Sequence, residues 1–352
     1  MVHGLDQTGQ TERGVDRESA DAADVRRSDT GLFGQGRFTG PLIAKMLCLS
    51  LADYPMRHLL SPLLQLIAAV LVCQPASAEI VVTDASGAGI KLAAPARRIV
   101  SLAPHITELL FAAGAGSLLV GNVDYGDYPP AAKALPRVGD YSRLDLEAIV
   151  VLKPDLVMAW ESGNSPASVS RLRAMGLTVH LSEPHRIEDI AGDLERIGKL
   201  AGTEVTANAA ATAFRRRYAD LAARYSQRPP VEVFYQIWQQ PLMTINGKQI
   251  ISDAIRLCGG RNVFSQLPGL APTVTVEAVI AANPEAIVAS GADSSRPEWL
   301  DDWKRWSTLT AVTRNNLYFV PPDLIQRHTP RFLDGAEKLC LHLEAARSKR
   351  GK

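Results

Sequence analysis

The chain has 352 residues, enough for two lobes of ordinary size, and its 46% hydrophobic content supports a sizeable core. A formal net charge of +1 excludes the strong basic field that nucleic-acid binding draws on, and no nucleic-acid partner is expected. No block of like charge suggests a solvated tail or an anionic membrane footprint.

Residues 1–55 are polar, lack a sustained apolar period, and read as a mis-assigned or disordered extension. Residues 56–78 then follow the plan of a secretory signal peptide. Met56, Arg57 and His58 form a charged start, an apolar stretch runs to Val72, and Ala76-Ser77-Ala78 supplies the A-x-A cleavage site. Ser61, Pro62 and Gln65 interrupt the apolar part, which disfavours a retained span. Val72 is bulky where a small residue precedes a lipidated cysteine, so Cys73 reads poorly as a lipoprotein site. The expected product is an exported, periplasmic chain beginning at Glu79.

Three segments are expected in that mature chain: an N-terminal α/β lobe over 79–186, a helical connection over 187–226, and a C-terminal α/β lobe over 227–352. "RRIVSLAP" reads as a strand and turn, and "HITELLFAAGAG" as a helix with Ile106, Leu109, Leu110 and Ala113 on one face and Gly114 at its end. A second strand lies in "LLVGNV", followed by the turn residues of "DYGDYPP". Asp145 can cap a short helix from Leu146 to Leu152, and Pro154 separates it from a strand over Leu156 to Trp160. In 187–226, Phe214, Tyr218, Leu221 and Tyr225 fall at the spacing of one face of a long helix. Alternation then resumes with "VEVFYQIW", "QIISDAIRLCGG", "NNLYFVPP" and a final helix in "RFLDGAEKLCLHLEAA".

One segment occurs twice. "RLDLEAIVVLKPDLVMA" at 143–159 and "TVTVEAVIAANPEAIVA" at 273–289 share a Glu-Ala pair, an apolar run and a proline at the same offset. An acid in the first turn of a helix is stabilising by itself, through the helix dipole. Two acids at matching places, Glu147 and Glu277, also make separated negative points that a partner with two arginine pockets can read. The mature chain holds two cysteines, Cys258 and Cys340. An even pair in an oxidising compartment reads as a disulfide, the alternative being two buried thiols.

Catalytic and metal signatures are absent: there is no H-E-x-x-H, G-x-S-x-G, phosphate-loop or Cys/His pattern. No cofactor or metal site is expected, and an exported metal-dependent enzyme using His105 and Glu108 is the alternative of another class. Aromatic residues point to binding instead. Tyr125, Tyr128, Tyr141 and Trp160 follow strand ends in the first lobe, as do Tyr235 and Trp238 in the second. Ligands of open α/β sheets sit beyond the carboxyl ends of strands, so these rings are candidates for the wall of a cleft.

"RIVSLAPHITELLFAAG", "DYGDYPP", "LDLEAIVVLKPDLVMAWESGN", "VTVEAVIAANPEAIV" and "RHTPR" together resemble the periplasmic cobalamin-binding proteins of ABC importers. The resemblance runs over nearly all of 97–345 and implies the class III fold, two Rossmann-like α/β lobes joined by a long helix with ligand in a shallow cleft between them. It implies ligand contacts from Tyr125, Tyr141, Trp160, Trp238 and the late loop Asp323, Leu324, Ile325, Gln326 and Arg327. It further implies docking of Glu147 and Glu277 on a permease dimer in the inner membrane, and a Cys258–Cys340 disulfide. The expected protein is monomeric, with cobalamin as cargo and haem or a ferric siderophore as the alternative. Two departures from the pattern are the missing tryptophan before the second acid, in "GLAPTVTVE", and Leu324 and Ile325 in place of late-loop aromatics.

Overall fold

The structure is a computed structural model that describes residues 79–291 and 294–351. The extension, the signal peptide and Cys73 lie outside the described residues.

The chain enters through a hairpin of β1 (Ile80–Thr83) and β2 (Gly89–Leu92), an element the glycine-rich sequence there did not announce. Four parallel strands follow: β3 (Ile99–Ser101), β4 (Leu119–Asn122), β5 (Leu156–Trp160) and β6 (Val179–Ser182), in the order β4-β3-β5-β6. The helices between them are α1 (Pro104–Ala112), α2 (Leu146–Val151) and α3 (Pro166–Ala174). Two antiparallel-packed helices come next, α4 (Asp189–Ala201) and α5 (Glu204–Tyr225), turning at Gly202 with φ 68°. The second sheet contains β7 (Val231–Gln236), β8 (Gly260–Asn262), β9 (Ala286–Ala289) and β10 (Leu317–Phe319), in the order β10-β9-β7-β8. Its connections are α6 (Ile250–Leu257), α7 (Val276–Ala282) and, after a 3₁₀ segment at Glu298–Arg305, α8 (Thr310–Thr313). The short α9 (Pro322–Ile325) leads into the terminal α10 (Phe332–Ser348).

The two sheets are wound alike. In each, the first strand is central, the second pairs on one side, and the third and fourth follow on the other. The duplicated segment therefore occupies the same place in both lobes, the helix entering the third strand. Each copy is capped by the residue two before its glutamate: Asp145 accepts from the Ala148 N–H, and Thr275 from the Ala278 N–H.

Parity along the strands divides the core. Leu156 and Met158 face one side with α1 and α4, whereas Val157 and Ala159 face the other with Ile149 and Leu172. In the second sheet Val231, Val233 and Tyr235 face the inner core, and Phe234 packs outward on Trp303. This parity corrects one expectation: Tyr235 is fully buried among the inner-core residues and takes no part in a cleft wall.

At about 1.5 Å per residue, the 22 residues of α5 extend roughly 33 Å. It contacts α1 in the first lobe and both α6 and α10 in the second, with Phe214, Leu221 and Tyr225 buried and Tyr218 partly so. Gly198 lets α4 and α5 approach, since a Cβ there would lie 2.5 Å from that of Ala207.

Cys258 and Cys340 form a disulfide between the end of α6 and the middle of α10, across a sequence separation of 82. Cross-linking a loop of that size stabilises by up to about 4–5 kcal/mol in the chain-entropy model. Cys258→Ser with Cys340→Ser should therefore lower unfolding free energy by a few kcal/mol in urea titration. A midpoint unmoved by the double substitution would show that the bond contributes nothing.

Candidate functional site

The carboxyl ends of β3 and β5 and the turns after them carry the first wall of a cleft. Asn164, buried after β5, assembles that wall. Its Oδ1 accepts from the Trp160 N–H at 2.7 Å, while its Nδ2 donates to the Leu102 and Tyr141 carbonyls at 2.9 and 2.7 Å. One amide thus fixes Trp160, Tyr141 and the end of β3 together. Gly163 completes the arrangement, because a Cβ there would fall 1.8 Å from the Trp160 ring.

Trp160 is the centre of an aromatic cluster. Tyr141 lies tilted at 5.9 Å between centroids, and His105 meets the indole edge-on at 5.2 Å. His328, from the loop after α9, is 5.2 Å from His105 and 6.4 Å from Trp160. Tyr125 stands at the mouth, 71% exposed, on a backbone with φ 63° that a non-glycine residue rarely adopts.

Two adjoining recesses make up the cleft. The smaller, of about 300 Å³, is lined by Tyr125, Tyr141, Trp160, Asp323, Gln326 and Arg327, together with His105. The larger, of about 480 Å³, shares Trp160 and Gln326 and adds Trp238, Ile237, Ile245 and Lys248 from the second lobe. Trp238 lies just beyond β7, with its indole N–H donating to the Gln240 carbonyl at 3.0 Å.

Seven of the nine ligand-contact residues expected from sequence thus line this cleft. Leu324 and Ile325 do not. Ile325 is fully buried in the inner core, and the Leu324 backbone packs on Gly335 of α10. The single helical turn of α9 is the reason, since only the face bearing Asp323, Gln326 and Arg327 points outward. Tyr128 is likewise elsewhere, stacked beneath the Arg331 guanidinium at 3.7 Å.

At the cleft edge the lobes are clasped by charge. Glu108 of α1, whose side chain is 2% exposed, takes both Nε and Nη2 of Arg331 at 2.9 and 2.7 Å. It also accepts from Arg327 at 2.9 Å, and Arg327 in turn reaches Asp127 at 3.0 Å and Asp323 at 2.9 Å. The "RHTPR" run carries both arginines, although nothing in the sequence alone ties them to Glu108.

Among the described residues no group of three or more His, Cys, Asp or Glu is placed to hold a metal. Nor is any helix there long and apolar enough to cross a membrane. Glu147 and Glu277 are both exposed in the first turns of α2 and α7, outside the cleft and without a salt-bridge partner among the described residues. The Glu277 carboxyl is held below its ordinary range by its own backbone N–H and the Thr275 hydroxyl.

Two α/β lobes hinged on a long helix, with an open aromatic cleft between them, define a solute-binding protein that captures small molecules. A model of the periplasmic binding protein family matches residues 99–324, and the chain belongs to that family. Within it, the vitamin B12-binding protein of Vibrio cholerae serotype O1 is 35% identical over 256 residues, 72% of this chain and 92% of that one. The vitamin B12-binding protein of Photorhabdus laumondii is 36% identical over 246 residues, covering 70% and 87%. The crystal structure of periplasmic vitamin B12 binding protein BtuF of Vibrio cholerae superposes with a TM-score of 0.67 at 35% identity, covering 72% of this chain and 98% of that one. The periplasmic heme-binding protein RhuT from Roseiflexus sp. RS-1, at 23% identity and a TM-score of 0.62, shares the fold.

The cleft floor is sensitive to protons. Burial, then the charges of His328 and Arg327, holds the His105 pKa well below 6.5. Burial, and next His185, lowers His328 to about 4, and burial lowers His180 on β6 to about 4. All three imidazoles are neutral in the folded protein near pH 7, and the unfolded chain binds protons first as pH falls. The contributions of His328 and His180 are intact above pH 6.5 and are lost between 6.5 and about 4, by roughly 1.4 kcal/mol per pH unit for each, and that of His105 is lost in the same direction as pH falls below 6.5. Urea midpoints measured from pH 7 to 4.5 should fall steeply, and His328→Asn should flatten that fall. An identical slope in the variant would count against the buried neutral imidazole.

Proposed function

We propose that this protein is the periplasmic ligand-capture subunit of an ABC importer and that its cargo is cobalamin or a related corrinoid. The observation that carries the reading is the continuity of the two recesses across Trp160 and Gln326. A cleft that is broad, open and floored by one indole suits a large flat ligand lying against it, with Tyr125, Tyr141 and Trp238 as aromatic rims. The 35% identity to vitamin B12-binding proteins over nine-tenths of their length supports a corrinoid as that ligand. Capture requires no covalent step, so the protein itself performs no catalysis. Residues 56–78 direct its export and are then removed.

Haem is the second reading, favoured by the two neutral imidazoles in the cleft floor, since a neutral ring nitrogen is a ligand for iron. Titration of the purified protein with cyanocobalamin and with haemin separates the two. Saturable uptake of cyanocobalamin is the expected result, and uptake of haemin alone would overturn it. Trp160→Ala should weaken cyanocobalamin binding by roughly 1–3 kcal/mol, as expected for a buried aromatic anchor. Unchanged affinity would reduce Trp160 to scaffolding.

The partner is the permease dimer of the importer, and Glu147 and Glu277 are its points of attachment. Their support is positional: the same helix of each lobe presents an exposed carboxylate with no salt-bridge partner among the described residues. The exposed Val151, one turn after Glu147, adds an apolar contact beside the first. Glu147→Ala combined with Glu277→Ala should leave ligand affinity unchanged while ligand-stimulated ATP hydrolysis by the reconstituted importer is lost. A parallel loss of ligand affinity would place these acids in the cleft function instead.

A further inference from the structure

The larger recess carries a cation, Lys248, with no salt-bridge partner among the described residues. Arg327, in the adjoining recess, is held by Glu108, Asp127 and Asp323. Beyond Gly247 and Lys248 opens a polar recess of about 440 Å³ in which Arg256 and Arg261 stand. Those arginines too are matched, to Asp253 at 2.8 Å and Glu232 at 2.8 Å. Lys248 lines both this recess and the ligand cleft, and its Nζ has no hydrogen-bond or salt-bridge partner among the described residues. The same recess holds Glu183, which accepts from the Ser162 N–H at 2.9 Å, and His185 beside it, but no salt bridge joins Glu183 to Lys248.

The backbone under Lys248 is fixed although its side chain is free. Asn246 Oδ1 accepts from the Lys248 and Gln249 N–H groups at 2.9 and 3.2 Å, and the Gly247 N–H donates to the Ser265 carbonyl at 2.9 Å. A Cβ at Gly247 would lie 2.8 Å from that carbonyl, so the turn requires glycine. Gln249 caps α6 by accepting from the Ile251 N–H. The attraction left at this end of the cleft is the lysine charge. It sits at the edge of an apolar wall made by Ile237, Ile245 and Leu270. Such a wall fits an apolar ligand body, and such a charge fits an acidic group projecting from its rim.

We propose that Lys248 is the anion-recognition residue of the cleft. On the corrinoid reading, on which this inference rests, its counterpart is the phosphodiester that joins the nucleotide loop to the corrin. The cleft then distinguishes complete cobalamin from cobinamide, which lacks that group.

Calorimetric titration with cyanocobalamin and with dicyanocobinamide tests this, using the wild type, Lys248→Met and Lys248→Arg. The wild type should bind cyanocobalamin about tenfold more tightly than dicyanocobinamide at low salt, a gap that added salt narrows. Lys248→Met should close the gap by weakening cyanocobalamin alone, and Lys248→Arg should restore it. Equal cyanocobalamin affinity in the wild type and Lys248→Met overturns the assignment and leaves the corrinoid reading standing. If the wild type takes haemin and neither corrinoid, the corrinoid reading fails separately, and haemin then decides the case of Lys248. A loss of about tenfold in haemin affinity in Lys248→Met upholds anion recognition through a propionate. Unchanged haemin affinity overturns it.

Discussion

The buried carboxylate of Glu108 is the constraint around which the cleft is organised. A carboxylate removed from water is tolerated only with charge and hydrogen-bond partners. Here both come from the opposite lobe, through Arg327 and Arg331. Separating the lobes would leave Glu108 without its cations, so the contact resists wide opening at this edge. The same arginines draw in Asp127, Asp323 and the Tyr128 ring, which ties the tyrosine-rich turn of the first lobe to the late loop of the second. Tyr125 and Gln326 are thereby brought to one mouth.

The remaining rigidity comes from the long helix and the disulfide. Helix α5 packs on both lobes along its length, so relative movement has to bend a helix rather than swing a loop. The Cys258–Cys340 bond joins α10 to the end of α6, whose beginning forms part of the larger recess. A binding surface held in this way loses little conformational freedom when it takes up a ligand, which favours affinity from a shallow, open site.

Within the cleft, polar and apolar roles are separated by lobe and by depth. Rings from both lobes provide broad faces, neutral imidazoles lie at the floor, and compensated ion pairs occupy one edge. Lys248 stands at the other edge with no salt-bridge partner among the described residues. Glu147 and Glu277 belong to a different surface, and their equivalence follows from the repeated winding of the two sheets.

Much of this was written in the chain order. Alternating apolar strands and glycine-ended helices give two α/β lobes, and the doubled Glu-Ala segment announces their internal repeat. Asp145 as a cap, the single-faced spacing of Phe214, Leu221 and Tyr225, and the pairing of Cys258 with Cys340 are local or countable properties. They depend on neighbours along the chain, on helical period, or on having one partner available. The departures are of another kind. Tyr235 and Ile325 have the same chemistry as residues that face the cleft, and only strand parity and the turn of a short helix send them into the core. Asn164 gathering Trp160 and Tyr141, Glu108 between two arginines more than 200 residues away, and Lys248 left unpaired are outcomes of packing. Periodicity decides what each segment becomes; which charges meet across the cleft was decided only when the lobes came together.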